Sequence, residues 1–105
     1  MKLRTLTAAE ASALVDELRA MANLPPGINA NALRRAKEIR FQLQGQAGTT
    51  PSAHAHADDV YRDLEVLLHP HRWKSESSLE TFRKQIKSSC DRLRVHLGLK
   101  ARPSG

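Results

Sequence analysis

Apolar side chains recur along the chain at steps of three and four residues, in four stretches separated by segments rich in proline or glycine. This spacing places the apolar positions on one face of an α-helix. It predicts four helices, over about residues 7–23, 30–44, 52–69 and 78–97. No stretch shows the two-residue alternation of a half-buried strand. We therefore predict an all-α protein, a small four-helix domain with a helical hairpin formed by the last two helices.

Pairs of polar residues mark where two of these helices begin. Thr7 and Glu10 have the spacing of a capping box, in which each side chain bonds the free backbone N–H of the other residue. Ser77 and Glu80 repeat that spacing before the fourth helix. The two pairs predict helix starts close to residues 7 and 78.

Single residues mark the remaining boundaries. Asn29 and Asn31 are both suitable caps for the second helix, and the sequence leaves the choice between them open. Thr50 is followed by Pro51, a favoured residue in the first turn of a helix. Gly98 stands where a left-handed residue ends the fourth helix.

The length of 105 residues fits one compact domain. We predict a single helical domain over residues 1–99 and a disordered tail over residues 100–105. The composition, rich in Ala, Leu and Arg, is typical of bacterial and phage proteins.

Charge is distributed unevenly along the chain. The formal net charge is +6, and the basic excess lies in residues 31–44 and 72–102, whereas residues 58–65 are acidic. A positive field of this kind raises the rate of encounter with polyanions. The charge therefore favours nucleic acid or an acidic protein surface as the partner.

Other classes of protein are disfavoured by what the sequence lacks. One cysteine, Cys90, permits neither an internal disulfide nor a cysteine-based zinc cluster. The first residues have no apolar run that would make a signal peptide, and no stretch approaches the roughly 20 apolar residues that span a bilayer. We expect a soluble, cytoplasmic protein without membrane contact.

Catalytic and metal-binding patterns are weak. His54 and Asp58 are four residues apart and can share one helical face, but His56 points elsewhere, and two ligands make a poor metal site. The other interpretation of these histidines is a solvent-facing or capping role. Cys90 lies on the apolar face of the fourth helix, where a free cysteine behaves as a small hydrophobe. We predict a non-enzymatic protein with no metal and no cofactor.

Basic residues on the second and fourth helices, and before the fourth, suggest a binding surface. Such residues can track a phosphate backbone or an acidic protein surface. The predicted contact residues are Arg34, Arg35, Arg72, Lys74, Arg83, Lys84, Lys87 and Arg94. A solvated helix face interrupted by Asp91 is the alternative interpretation. No recognition helix for specific base sequences is evident.

Residues 61–72 hold a tyrosine, a basic residue and a leucine that lead into a His-Pro turn and a further basic residue. This segment resembles the second helix and following loop of the J-domain of the DnaJ co-chaperones. The matching positions are Tyr61, Arg62, Leu64, His69, Pro70 and Arg72. Phe82 stands near the start of the following helix, at about the same distance from the His-Pro turn as in the J-domain family. The resemblance covers residues 39–97. Its first part is a loose likeness to the end of the family's first helix, at Phe41, Leu43 and Gly45.

The resemblance implies a protein-docking module for an Hsp70-type partner. The contact loop would hold His69, Pro70, His71 and Trp73. His71 stands where the family has the aspartate that stimulates the Hsp70 ATPase, so we expect a scaffold or competitor that does not stimulate it. The helix before the loop is also acidic where the family is basic.

Two further questions stay open at the level of sequence. Considered from the residues alone, Trp73 is either a hydrophobic anchor for the turn or an exposed contact residue. A helix-rich homodimer is a third hypothesis, beside polyanion binding and protein docking, because four short helices can leave apolar surface uncovered.

Overall fold

The computed structural model describes residues 5–46, 49–68 and 76–99, apart from the side chains of Glu76 and Ser77. These ranges contain four helices and no strand: α1 (Ala8–Met21), α2 (Ala30–Gln44), α3 (Pro51–Leu67) and α4 (Glu76–His96). The predicted all-α four-helix domain is confirmed. Every predicted helix boundary lies within two residues of the observed one.

The helices pack in a closed ring in which sequence neighbours are antiparallel. Each helix packs against the next, and α1 also packs against α4. Along α1 and α4, Asp16 pairs with Arg94 and Arg19 pairs with Asp91, so residue numbers rise on one helix as they fall on the other. In a ring of this order, α2 and α4 occupy diagonally opposite corners.

The α3–α4 hairpin predicted from the sequence is confirmed. Asp63 on α3 accepts a hydrogen bond from Gln85 on α4. At the other end of the hairpin, the rings of His56 and His96 stack with their centroids 4.5 Å apart. His56 therefore points away from the His54–Asp58 pair, as its helical position predicts.

Two helix starts follow the caps expected from the sequence. The Thr7 hydroxyl accepts a hydrogen bond from the Glu10 N–H, and the Glu10 carboxylate accepts one from the Thr7 N–H, both at 3.1 Å. At α2 the choice falls on Asn29, whose side-chain oxygen accepts from the Ala32 N–H at 3.0 Å. Asn31 lies inside the helix.

The starts of α3 and α4 differ in how well the sequence predicts them. Thr50 caps α3 by accepting from the Ala53 N–H at 3.1 Å, and Pro51 occupies the first turn. The backbone of α4 is helical from Glu76, so Ser77 lies inside the first turn and not at the cap. The prediction of a cap at Ser77 is wrong because the capping-box spacing also occurs inside helices, where it carries no boundary information.

The end of α4 forms the glycine-terminated cap that the sequence predicts. Gly98 has a φ of +73°, in the left-handed region that glycine enters without a steric penalty. The Gly98 N–H donates to the carbonyl of Val95, and the Leu99 N–H donates to the carbonyl of Arg94, both at 3.0 Å. This pair of bonds is a Schellman motif, and it satisfies two carbonyls at the helix end.

The core lies where the apolar faces of the four helices meet. Its largest fully buried side chains are Val15, Leu18, Ile39, Leu43, Val60, Leu64, Leu67, Leu68, Ile86, Cys90 and Leu93. Burial of one such aliphatic side chain contributes roughly 1.5–3 kcal/mol to folding. Cys90 is part of this core, and burial, as the largest cause, raises the pKa of its thiol to about 12.

Candidate functional site

Two of the basic residues predicted as contacts on α4, Arg94 and Arg83, lie at the boundary between α1 and α4. Arg94 is 4% exposed, and its guanidinium donates to the Ser12 hydroxyl and to the Asp16 carboxylate of α1. A buried charge is tolerated when groups of the protein pair with it and accept its hydrogen bonds. The prediction that Arg94 contacts a partner is therefore corrected, because its charge is enclosed by the protein itself.

Arg83 is also used within the fold. Its side chain is 17% exposed and donates to the Glu80 carboxylate at 2.8 Å. The same guanidinium donates at 3.0 Å to the backbone carbonyl of Leu24, in the loop that follows α1. Arg83 thus ties α4 to the end of α1, and little of its charge faces solvent.

Helical geometry explains why these arginines are enclosed. Each residue turns the helix by about 100°, which puts Arg83 and Arg94 roughly 50–70° from the middle of the apolar face of α4. Such positions flank the core, and a neighbouring helix covers them on one side. The sequence of α4 alone does not reveal that α1 is the helix covering that flank.

On α2, Arg35 is balanced by two carboxylates. Its guanidinium donates to Glu17 of α1 at 3.0 Å and to Glu38 of α2 at 3.4 Å. The hydrogen bond that Arg35 donates to Glu17 is the largest cause that raises the pKa of Arg35. Arg35 therefore links α1 to α2, and carboxylates of the protein itself pair its charge.

The outward side of α2 is different. Arg34 and Lys37 are exposed, and no ion pair with either is found among the described residues. Phe41 follows on the same side of the helix and is 52% exposed. The three residues are separated by steps of three and four, so they form a line along α2, which we call the α2 outer stripe. It is an exposed basic surface that contains an aromatic ring.

Sequence reasoning identified part of this stripe. The sequence predicts Arg34 as a contact residue but assigns no contact role to Lys37 or Phe41. A signal for Phe41 is nevertheless present. It lies two residues from both Ile39 and Leu43, which turns it about 200° away from each of these buried side chains.

The flank of α2 that meets α3 holds a polar network. The guanidinium carbon of Arg40 lies 4.2 Å from the centre of the Tyr61 ring, and a guanidinium nitrogen lies 3.6 Å from the Asp58 carboxylate. Asp58 also accepts from the Gln44 amide at 2.8 Å and lies 3.8 Å from Nδ1 of His54. Within the described ranges, no group of three or more His, Cys, Asp or Glu side chains is arranged to hold a metal ion.

Two further predicted contact residues that the structure describes do not join the stripe. Lys84 is exposed and Lys87 is half-buried, both on α4. Because α2 and α4 are diagonal in the ring, their outward sides face in opposite directions, and the predicted contact residues within the described ranges do not form one surface. The loop residues His69, Pro70, His71, Arg72, Trp73 and Lys74 lie outside the residues that the structure describes.

Comparisons of the chain with protein-family models, curated proteins and solved structures give no match. The resemblance of residues 39–97 to a J-domain therefore stays a prediction from the sequence. Of the helices described here, none has the length and apolar character needed to cross a membrane. The fold and the site together define a small all-α four-helix domain with an exposed basic and aromatic stripe on α2.

Proposed function

We propose that this chain is a non-enzymatic binding protein that contacts nucleic acid through the α2 outer stripe. The observation that carries this proposal is the exposed charge of Arg34 and Lys37, for which the described residues supply no counter-ion. The nearby Arg35 is held by two carboxylates. Exposed cations in a line are what a charged backbone requires for contact.

Nucleic acid suits this surface for two reasons. Arg34 and Lys37 are three residues apart, which separates their Cα atoms by about 4.5 Å along the helix axis. A nucleic-acid strand carries one phosphate per roughly 3.4 Å when its bases are stacked, so both cations can reach phosphates of one strand. The net charge of +6 adds a long-range attraction toward the same partner.

The size of the surface sets the strength of binding. Two phosphate contacts without base-specific readout correspond to non-specific affinity, with a Kd of about 10⁻⁴–10⁻⁶ M at physiological salt. Such binding is strongly weakened by salt, because each neutralised phosphate releases a condensed counter-ion. An acidic protein surface would satisfy the same cations, and the experiment below separates the two partners.

The proposal is tested by titrating a fluorescent oligonucleotide with the full chain at several salt concentrations and recording anisotropy. We expect binding that weakens as salt rises. The double variant Arg34→Ala/Lys37→Ala should reduce the slope of log affinity against log salt by about 1.5, since each lost phosphate contact removes about 0.7–0.9. Circular dichroism of the double variant should match that of the parent chain, because both residues are exposed.

The matched control is Lys84→Ala/Lys87→Ala, which removes the same charge from α4, the helix diagonally opposite α2 in the ring. It should leave most of the affinity and the salt slope intact. Absence of binding at low salt would overturn the proposal. Equally tight binding of a polyglutamate peptide, lost in the same α2 variant, would assign the stripe to an acidic protein partner instead.

A further inference from the structure

The fold leaves one aromatic ring exposed at the end of the α2 outer stripe. Phe41 is 52% exposed, although Ile39 and Leu43 on either side of it are fully buried. The other two phenyl-type rings within the described residues, Tyr61 and Phe82, are half-buried. Arg40 lies over the ring of Tyr61 at 4.2 Å. Among the phenyl-type rings of the described residues, Phe41 is therefore the one that is exposed to a partner.

The cations of the stripe lie on the same line as this ring. Lys37 precedes Phe41 by four residues and Arg34 precedes it by seven, so their Cα atoms lie about 6 Å and 10 Å from that of Phe41 along the axis. At roughly 3.4 Å or more per nucleotide, one to three nucleotides of a strand cover these distances. A strand with one base at Phe41 therefore has neighbouring phosphates within reach of both cations.

This combination distinguishes single strands from duplexes. In a duplex the faces of the bases are stacked on one another, and only their edges are open in the grooves. Phe41 can meet a base face there only if neighbouring base pairs unstack. In a single strand the faces are accessible, and stacking on an aromatic side chain strengthens binding for any base sequence.

We infer that the chain binds single-stranded nucleic acid, with Phe41 stacked on a base and Lys37 and Arg34 on phosphates of the same strand. This inference rests on the proposed function and makes it more specific. The Phe41 ring supplies the part of the affinity that does not depend on salt, and the two cations supply the part that does. Base identity is not read, because stacking requires only the face of the base.

The test compares a mixed-sequence single-stranded DNA oligonucleotide with its duplex, bound to the full chain at the same salt concentration. We expect tighter binding of the single strand. Phe41→Ala should weaken single-strand binding about tenfold, within the range for loss of one stacked base. Its effect on duplex binding should be less than twofold. The salt slope should not change, because no phosphate contact is lost.

Two further variants make the test specific. Phe41→Trp should restore single-strand binding, since it keeps an aromatic face at the same position. Val95→Ala removes an exposed apolar side chain from α4, where Val95 is 65% exposed, and should change neither affinity. Urea denaturation of each variant should give the stability of the parent chain.

The outcomes separate this inference from the proposed function. Equal affinity for single strand and duplex, with no effect of Phe41→Ala, would overturn the stacking role. If Arg34→Ala/Lys37→Ala still weakened both complexes in that case, the proposed function would stand without it. Failure of both DNA probes to bind at low salt would overturn the two together.

Discussion

Arginines have opposite roles at the α1–α4 boundary and on the α2 outer stripe. At the boundary, Arg94 and Arg83 are enclosed by the fold and donate to groups of α1, of the loop after α1 and of α4. On the stripe, Arg34 is exposed. The residue type is the same, and the difference is the angle that each position makes with the apolar face of its helix. The positive charge of a small helical protein therefore overstates the charge that a partner can contact.

Replacing Arg94 should give the largest difference between the enclosed arginines and the exposed Arg34. Arg94→Ala should lower the free energy of unfolding by about 2–3 kcal/mol, because it removes a buried guanidinium with its hydrogen bonds and the packing of its stem. Urea denaturation measures this change. Arg34→Ala, the matched change on the stripe, should alter it by less than about 0.5 kcal/mol. Equal effects of the two variants would contradict the assignment of Arg94 to the interior.

A smaller effect is expected from Arg83, whose neighbour provides a control on the same helix. Arg83→Ala should lower the free energy of unfolding by about 1 kcal/mol, since a charged donor to the Leu24 carbonyl is lost. Lys84→Ala, one residue away and exposed, should change it by less than about 0.5 kcal/mol. Hydrogen exchange should also accelerate in the loop after α1 for Arg83→Ala. Identical behaviour of both variants would show that the tie to Leu24 does not stabilise the fold.

The smallest expected effect on stability comes from Asp63, a carboxylate at the boundary between α3 and α4. Burial, as the largest cause, raises the pKa of Asp63 above its ordinary value of 3.8, and the charge of Asp59 raises it further, whereas the hydrogen bond from Gln85 lowers it. Since the folded-state pKa is the higher one, the ionised carboxylate destabilises the fold. This destabilisation is absent below the unfolded-state pKa and develops as pH rises through the folded-state pKa.

Asp63→Asn should therefore raise the Tm slightly at pH 7, by the equivalent of a few tenths of a kcal/mol. The difference in Tm between Asp63→Asn and the parent chain should shrink as pH is lowered toward 3.8, because the Asp63 carboxyl then becomes protonated and, like the amide, uncharged. Thermal unfolding followed by circular dichroism at both pH values measures it. A Tm advantage that grew at low pH would have the wrong sign for this explanation.

Local features of the fold could be predicted because the sequence around them determines them. Thr7 and Gly98 act through backbone groups within five residues, so their caps are evident from short motifs. The pairing of Arg94 with Asp16 joins positions 78 residues apart, and no local sequence pattern around either residue predicts it. The exposed face of α2 could be predicted in part. The sequence predicts Arg34 as a contact residue but assigns no binding role to Phe41.

Cys90 gives this protein a built-in reporter of unfolding. It is the single cysteine of the chain, it is fully buried, and burial raises the pKa of its thiol to about 12. At neutral pH the reactive thiolate is therefore scarce in the folded state. A thiol reagent labels Cys90 only when α4 separates from the bundle, so the labelling rate counts opening events. The native chain thus allows mass spectrometry to follow its opening, with no engineered probe.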